Sequence, residues 1–207
     1  YQGYIISIMK LSKKKIINVC EPLLTPNAEK YVLDCIKTEW ISSSGKYLEN
    51  FEKNWAKYCG ANDGISVTNG TSALQVAFKS LDLKPGDEVI MPSYTFTSTA
   101  NAVLLSGAKP VFADINLVDA NLNPNSVEKK INKNTKAIIL VHYGGNSCDM
   151  DEFIKIKKKY NLVIVEDAAH GFLGKFKNKY LGTIGDFGAF SFHETKNFVG
   201  GQCGALS

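Results

Sequence analysis

The stretch Glu166-Asp167-Ala168-Ala169-His170 follows residues 162–165, an apolar run of the kind found in strands that are buried on both faces of a sheet. A second stretch, Ser191-Phe192-His193-Glu194-Thr195-Lys196-Asn197, includes the end of another short apolar run. Ligands of parallel sheets lie at the carboxyl ends of the strands. The order of these segments therefore predicts that Asp167 and Lys196 meet at one end of a buried sheet.

The surrounding sequence alternates between β-rich runs and helical patterns from Gly64 onward, and is more helical before it. Such alternation predicts an α/β fold with a mostly parallel sheet flanked by helices. The predicted strands cover residues 65–68, 88–91, 111–113, 137–141, 162–165 and 189–192. The predicted helices cover residues 27–37, 47–58, 72–81, 97–105, 125–131 and 149–160.

The composition is that of an ordinary globular protein, with 207 residues of which 44% are hydrophobic, enough for one well-buried core. All 24 basic residues are lysine, and the sequence contains no arginine. Sequence-specific nucleic-acid sites depend heavily on arginine, so its absence argues against that class of protein. Any bound phosphate must then be held by backbone N–H groups, hydroxyls or lysine.

The cysteines and histidines are scattered. Five cysteines without a C-x-x-C pattern favour reduced thiols in the cytoplasm over a disulfide framework. Three isolated histidines give no metal-site spacing, so we expect no metal. No apolar run approaches the roughly 20 residues that span a bilayer, so we expect no membrane segment.

A buried carboxylate and a poised lysine are what pyridoxal 5'-phosphate (PLP) chemistry needs. The lysine holds the aldehyde as a Schiff base, and the acid keeps the pyridine nitrogen protonated so that the ring accepts electrons. Taken singly, each has an ordinary alternative: Lys196 as a surface lysine in a loop, and Asp167 as a capping carboxylate. Each alone is weak evidence, and it is their order and surroundings that carry the family resemblance given below, which implies a PLP site.

The segment Asn69-Gly70-Thr71-Ser72 joins a predicted strand to a predicted helix. Free N–H groups, the helix dipole and hydroxyl side chains make such a turn suitable for phosphate without arginine. The alternative is a simple helix N-cap, which the same four residues also satisfy.

These motifs resemble those of the DegT/StrS-type sugar-nucleotide aminotransferases, from about Ile16 to the last residue. The resemblance implies a seven-stranded-type sheet, the large domain of a fold-type I PLP transferase. It also implies that the smaller C-terminal domain of such proteins is absent from this chain. We therefore expect residues 1–15 to form an N-terminal arm and residues 16–207 to form the PLP-binding large domain, incomplete at its C-terminus.

The resemblance also implies roles for individual residues. Lys196 would bind the cofactor and shuttle a proton, Asp167 would pair with the pyridine nitrogen, and His170 would lie near the ring. The remaining cofactor-binding residues would be Gly70, Thr71, Ser72 and Ser191 at the phosphate and Phe96 stacked on the ring. Residues expected to contact substrate are Ser43, Ser44 and Tyr94.

Two further segments are expected to be structural. Glu166 is expected to support the fold, and His142-Tyr143-Gly144-Gly145 is expected to shape a turn near the site.

The run Gly200-Gly201-Gln202-Cys203-Gly204 departs from the Gly-Glu-Gly-Gly that is usual in the family. Because glycine often marks a left-handed backbone position, we expect Cys203 to strain this turn.

The implied reaction transfers an amino group from L-glutamate to a keto group of a nucleotide-linked deoxysugar, as in the synthesis of surface polysaccharides. The wording His-Glu-Thr-Lys-Asn leans toward family members that make dTDP-4-amino-4,6-dideoxygalactose. The family also implies a homodimer.

Three alternatives remain at this point. The first alternative is that the chain is an inactive PLP-binding remnant or an interaction module of the same fold. Sugar 3-dehydration is disfavoured, because those relatives carry a histidine where this chain has Lys196. A dinucleotide-binding enzyme is disfavoured because no G-x-G-x-x-G follows the first predicted strand.

Overall fold

The computed structural model describes residue 18 and residues 20–207, and the predicted arm at residues 1–15 lies outside this part. The helices are α1 (Pro26–Lys37), α2 (Lys46–Cys59), α3 (Gly70–Ser80), α4 (Thr97–Leu105), α5 (Pro124–Lys130) and α6 (Met150–Tyr160), with a 3-10 turn at Tyr143–Gly145. The strands are β1 (Ile65–Val67), β2 (Glu88–Pro92), β3 (Lys109–Ala113), β4 (Thr135–Val141), β5 (Val163–Asp167), β6 (Lys175–Phe176), β7 (Lys179–Tyr180), β8 (Phe187–Ser191) and β9 (Gly204–Leu206).

Seven strands form one sheet in the order β1-β9-β8-β5-β4-β2-β3. Strand β9 runs antiparallel to both of its neighbours, and the other pairings are parallel. The strands β6 and β7 form a separate hairpin. The predicted mostly parallel α/β sheet of seven-stranded type is confirmed.

The central strands bury both faces, and alternate residues serve two different cores. On one face Ile139 and Val165 pack with Phe78 of α3 and Val103 of α4. On the other face Ile138, Leu140 and Ile164 pack with α5 and α6, whose buried residues include Val127 and Phe153. This two-sided burial explains why residues 137–141 and 162–165 read as unbroken apolar runs.

The helices that reach the site end of the sheet have defined starts. The Asn69 side chain accepts a hydrogen bond from the Ser72 N–H at 2.9 Å and so caps α3. Gly70 lies close to β8, because a side chain on it would come within 2.9 Å of the Ser191 Cβ atom. The absence of a side chain at Gly70 therefore lets the first turn of α3 lie against the end of β8.

The strand ends differ slightly from the predicted ones. Asp167 is the last residue of β5 rather than a residue beyond it, and it pairs with Val141 on β4 and Ala189 on β8. The carboxyl ends of three adjacent parallel strands therefore surround this acid.

The prediction that Cys203 strains its turn is wrong. Gly201 takes the left-handed backbone conformation, with φ of 76°, and Cys203 lies outside that region. The Cys203 carbonyl accepts a hydrogen bond from the Phe192 N–H at 2.9 Å. A side chain is therefore tolerated at Cys203, because the glycine two residues earlier makes the turn.

Among the described helices, none is both long enough and apolar enough to cross a bilayer.

Gly188 supplies a test of the packing beside β5. A Cβ atom at Gly188 would overlap the carbonyl oxygen of Gly182, whereas one at Gly60 would meet no atom within 4 Å. We expect Gly188→Ala to lower the free energy of unfolding by about 3 kcal/mol through overpacking. Gly60→Ala, in a left-handed position with φ of 68°, is expected to cost about 1 kcal/mol. Urea unfolding measures both, and equal losses would contradict the packing described here.

Candidate active site

A cavity of about 480 Å³ opens at the carboxyl ends of β4, β5 and β8, beside the first turn of α3. Its wall contains the acid and the lysine that the sequence singled out, together with predicted partners of both. The sequence-predicted residues that line it are Gly70, Thr71, Phe96, Asp167, His170, Ser191 and Lys196. One cavity thus brings together seven candidates that are spread over much of the chain.

Asp167 is a buried carboxylate with few donors. It is 6% exposed, and it accepts hydrogen bonds from the Thr99 hydroxyl at 3.0 Å and the Ala169 N–H at 3.2 Å. Burial raises the pKa of Asp167, and these two hydrogen bonds and the charges of Lys196 and His170 oppose that rise only in part. A cation bound against this carboxylate would therefore be strongly favoured.

Lys196 lies in the loop after β8, and its Nζ atom is 3.0 Å from the Nε2 atom of His170. Burial lowers the pKa of Lys196, although the nearby Asp167 charge acts in the opposite direction. Burial also lowers the pKa of His170, and the Lys196 charge adds to that effect. The result is an amine that loses its proton more readily than a surface lysine does, with an imidazole nitrogen within hydrogen-bond distance of it.

The first turn of α3 offers a site for an anion. Gly70 and Thr71 are its first two residues, and the N–H groups at a helix start have no intrahelical partner. Ser191, at the end of β8, adds a hydroxyl to the same cavity. The first turn contains no acidic residue. This corner of the cavity is suited to a phosphate without any arginine.

Glu166 lies next to Asp167 on β5, but it points to the opposite face and is fully buried. One of its oxygens accepts from the N–H groups of Ile184 and Gly185 at 2.7 and 2.5 Å. The other accepts from the Gly182 N–H at 2.8 Å and contacts Nε2 of His142 at 2.7 Å. Four donors satisfy this carboxylate, as the expected structural role requires.

The tautomer of His142 follows from its hydrogen-bond partners. The Cys148 N–H donates to Nδ1 at 3.2 Å, so the proton of the neutral ring is on Nε2, which donates to Glu166. His142 is thereby fully engaged in supporting the turn after β4.

Four predicted residues do not line the cavity. The N–H and hydroxyl of Ser72 both donate to the Asn69 side chain, at 2.9 and 3.1 Å. Ser43 and Ser44 lie in the exposed segment between α1 and α2. Tyr94 lies next to the cavity and contacts it through Tyr143, since their hydroxyls are 2.8 Å apart. The substrate and phosphate roles of these four residues remain predictions.

Phe96 is at the cavity mouth with 77% of its surface exposed. A phenylalanine with so little cover is available to pack against a flat ligand, which is the role expected for it.

One contributor to the site was not indicated by any sequence pattern: Thr99 donates to Asp167 from 68 residues away. Tyr143 and Gln202 lie in segments that the sequence singled out, but their side chains were not expected to line the cavity, as they do. Thr99 lies in the first turn of α4, and nothing in the local sequence distinguishes it from any other small polar residue. Only the folded arrangement assigns it to Asp167.

A larger groove of about 880 Å³ runs between α1 and α2. It is lined mainly by apolar and aromatic residues, among them Val32, Ile36 and Trp55, and contains no pairing of acid and lysine. The smaller cavity is therefore the better candidate for chemistry. Within residues 18 and 20–207, no three His, Cys, Asp or Glu side chains are grouped to hold a metal ion.

Comparison with known proteins gives the same family as the sequence motifs, for most of the chain. The sequence model of the DegT/DnrJ/EryC1/StrS aminotransferase family matches residues 22–207. GDP-perosamine synthase of Escherichia coli O157:H7 is 39% identical over 192 residues, which cover 93% of this chain and 53% of that protein. The chain thus spans about half the length of the curated relatives it matches.

Solved structures agree. The aminotransferase PseC of Helicobacter pylori, involved in the biosynthesis of pseudoaminic acid, superimposes with a TM-score of 0.88 at 31% identity. The match covers 93% of this chain and 52% of PseC. The NtdA protein of Bacillus subtilis, solved with the bound cofactor PMP, gives a TM-score of 0.80 at 33% identity, covering 95% of this chain and 46% of NtdA.

Glu166→Gln is expected to destabilise the fold. The amide nitrogen that replaces one carboxylate oxygen must face two N–H donors, which leaves buried donors unpaired. We expect a loss of about 3 kcal/mol in the free energy of unfolding. Glu152→Gln, which removes only an exposed pair with Lys155, should change it by less than about 0.5 kcal/mol. Chemical denaturation compares the two, and similar losses would rule out the proposed role of Glu166.

Asp167→Asn, unlike Glu166→Gln, is expected to raise the free energy of unfolding of the cofactor-free protein. Because burial raises the folded-state pKa of Asp167, its ionisation costs stability as the pH rises through that pKa. The neutral asparagine avoids this cost, so the variant should be more stable than the wild type at pH 7. The gain should vanish below the unfolded-state pKa, where both side chains are neutral. Urea unfolding at the two pH values measures this, and a pH-independent difference would contradict it.

Proposed function

Because this chain belongs to the DegT/DnrJ/EryC1/StrS aminotransferase family, we propose that it binds PLP in the cavity described above. The protein would transfer an amino group from L-glutamate to a keto group of a nucleotide-linked deoxysugar. The observation that carries the proposal is the presence of buried Asp167 and partly buried Lys196 in one cavity.

The residues of the cavity fit the parts of this cofactor. Asp167 would hold the protonated pyridine nitrogen, which supplies the cation that the buried carboxylate lacks. Gly70, Thr71 and Ser191 would hold the phosphate through N–H and hydroxyl groups, and Phe96 would cover a face of the ring. PLP, when bound, supplies an electron sink for bond cleavage at the substrate carbon.

Lys196 would bond to the cofactor aldehyde through Nζ, and it must lose a proton first. Its partial burial supports that loss, and the Nε2 atom of His170 at 3.0 Å holds Nζ in place. The Nζ atom of Lys196, when not bonded to the cofactor, would be placed to hold and release a proton at the cavity.

The substrate class follows from the relatives. GDP-perosamine synthase, named for a GDP-linked sugar, supports a nucleotide-linked substrate. The sugar, and the choice of dTDP-4-amino-4,6-dideoxygalactose that the His-Glu-Thr-Lys-Asn wording favours, remain predictions. We further propose a cytoplasmic homodimer, as the family resemblance implies.

A second proposal is that this chain binds PLP without turning over a substrate. It shares the cavity and the lysine with the first proposal, and differs only in the steps after cofactor binding. A single experiment separates the two.

Purified protein mixed with PLP should develop a visible absorption band, and borohydride should fix the cofactor at Lys196. Lys196→Ala should lack the band, whereas Lys133→Ala, an exposed lysine on the loop before β4, should keep it. Loss of the band on addition of L-glutamate would support the aminotransferase, and a band that glutamate leaves unchanged would support binding alone. A folded wild type that develops no band would refute both.

A further inference from the structure

The turn after β4 carries Tyr143, which lines the cavity. Gly144 and Gly145 both have left-handed backbone conformations, with φ of 61° and 85°. The Tyr143 N–H donates to the side-chain oxygen of Asn121 at 3.1 Å. Asn121 is 1% exposed, and its amide nitrogen also donates to the Asn146 and Ser147 carbonyls at 3.3 and 3.0 Å. A buried side chain therefore fixes the backbone on both sides of the two glycines.

The Tyr143 ring contacts two other rings. It lies against Tyr94, with ring centroids 4.7 Å apart, and the Tyr143 hydroxyl donates to that of Tyr94 at 2.8 Å. It also meets the imidazole of His170 edge to face, with centroids 6.2 Å apart and an interplanar angle of 79°. The turn also lies against the backbone of His170. A Cβ atom at Gly145 would come within 3.1 Å of the His170 carbonyl oxygen.

We propose that Tyr143 is a positioning residue that holds the imidazole of His170 with Nε2 facing Lys196. Tyr94 and Asn121 hold Tyr143 in turn, one through its hydroxyl and ring and the other through its backbone. Among the described residues, the one hydrogen bond to the His170 ring is that between Nε2 and Lys196. Without the Tyr143 ring, the imidazole can rotate away from the lysine.

The consequence for chemistry rests on the proposed function. The hydrogen bond of 3.0 Å between Nε2 and Nζ orients the Lys196 amine for its bond to the cofactor only while that geometry persists. The ionisable groups around His170 are Asp167 from β5, Lys196 from the loop after β8 and Tyr143 from the turn after β4. His193 lines the same cavity.

The arrangement itself is testable in cofactor-free protein by NMR. The chain has three histidines, so the imidazole signal of His170 can be assigned by its loss in His170→Asn. Tyr143→Leu should shift this signal and move the His170 pKa up toward the ordinary value, because both ring contact and burial are lost. Tyr143→Phe, which keeps the ring, should have a smaller effect. A His170 signal and pKa unchanged in Tyr143→Leu would overturn the proposal.

A double-mutant cycle tests whether Tyr143 acts through His170. We expect Tyr143→Leu to slow formation of the visible PLP band about fivefold, and to slow it less than about twofold when His170→Ala is already present. Tyr143→Phe should restore much of the rate, and Tyr31→Leu, in the distant α1–α2 groove, should leave it unchanged. Equal slowing with and without His170 would show a general structural role instead. If the wild type forms no band, the proposed function fails, and the NMR measurement still decides the positioning role.

Discussion

A carboxylate confined inside the protein, with two neutral donors and no salt bridge among the described residues, is the constraint on which the arrangement of this site depends. Asp167 ends a central strand, so the neighbouring strands β4 and β8 exclude water from it. Ionisation in such a place is costly unless a positive charge is close. The partly buried amine of Lys196 supplies some of that charge, and under the proposed function a bound cofactor would supply more.

Two adjacent carboxylates on β5 show how one strand serves two purposes. Because successive side chains point to opposite faces of a sheet, Glu166 and Asp167 enter different environments. Glu166 meets four donors and ties β5 to the turn at residues 182–185 and to His142. Asp167 meets two donors and faces the cavity. The satisfied acid provides rigidity, and the under-satisfied acid next to it keeps the capacity to bind.

Much of this was predictable from the sequence, and the omissions have physical causes. Helix α4 has the predicted bounds, because its ends are marked by a change in polarity and a following glycine. Strand β5 extends two residues beyond the predicted run, because apolar composition marks the buried interior and its last residues are acids. The antiparallel direction of β9 depends on its two neighbours, which local composition does not encode. The contacts of Thr99 with Asp167 and of Tyr143 with His170 join distant segments, and no local pattern predicts such pairs.

The absence of arginine from the sequence is consistent with this distribution of charge in the cavity. Arginine binds phosphate through a rigid, permanently charged fork, which would add a fixed positive charge to a cavity that already contains Lys196. A second permanent cation close to that amine would lower its pKa further and would also compete for Asp167. The first turn of α3 attracts an anion through backbone N–H groups and partial charge instead. Under the proposed function, the backbone would bind the phosphate, and Asp167 would remain the counter-charge for Lys196 and for the cofactor.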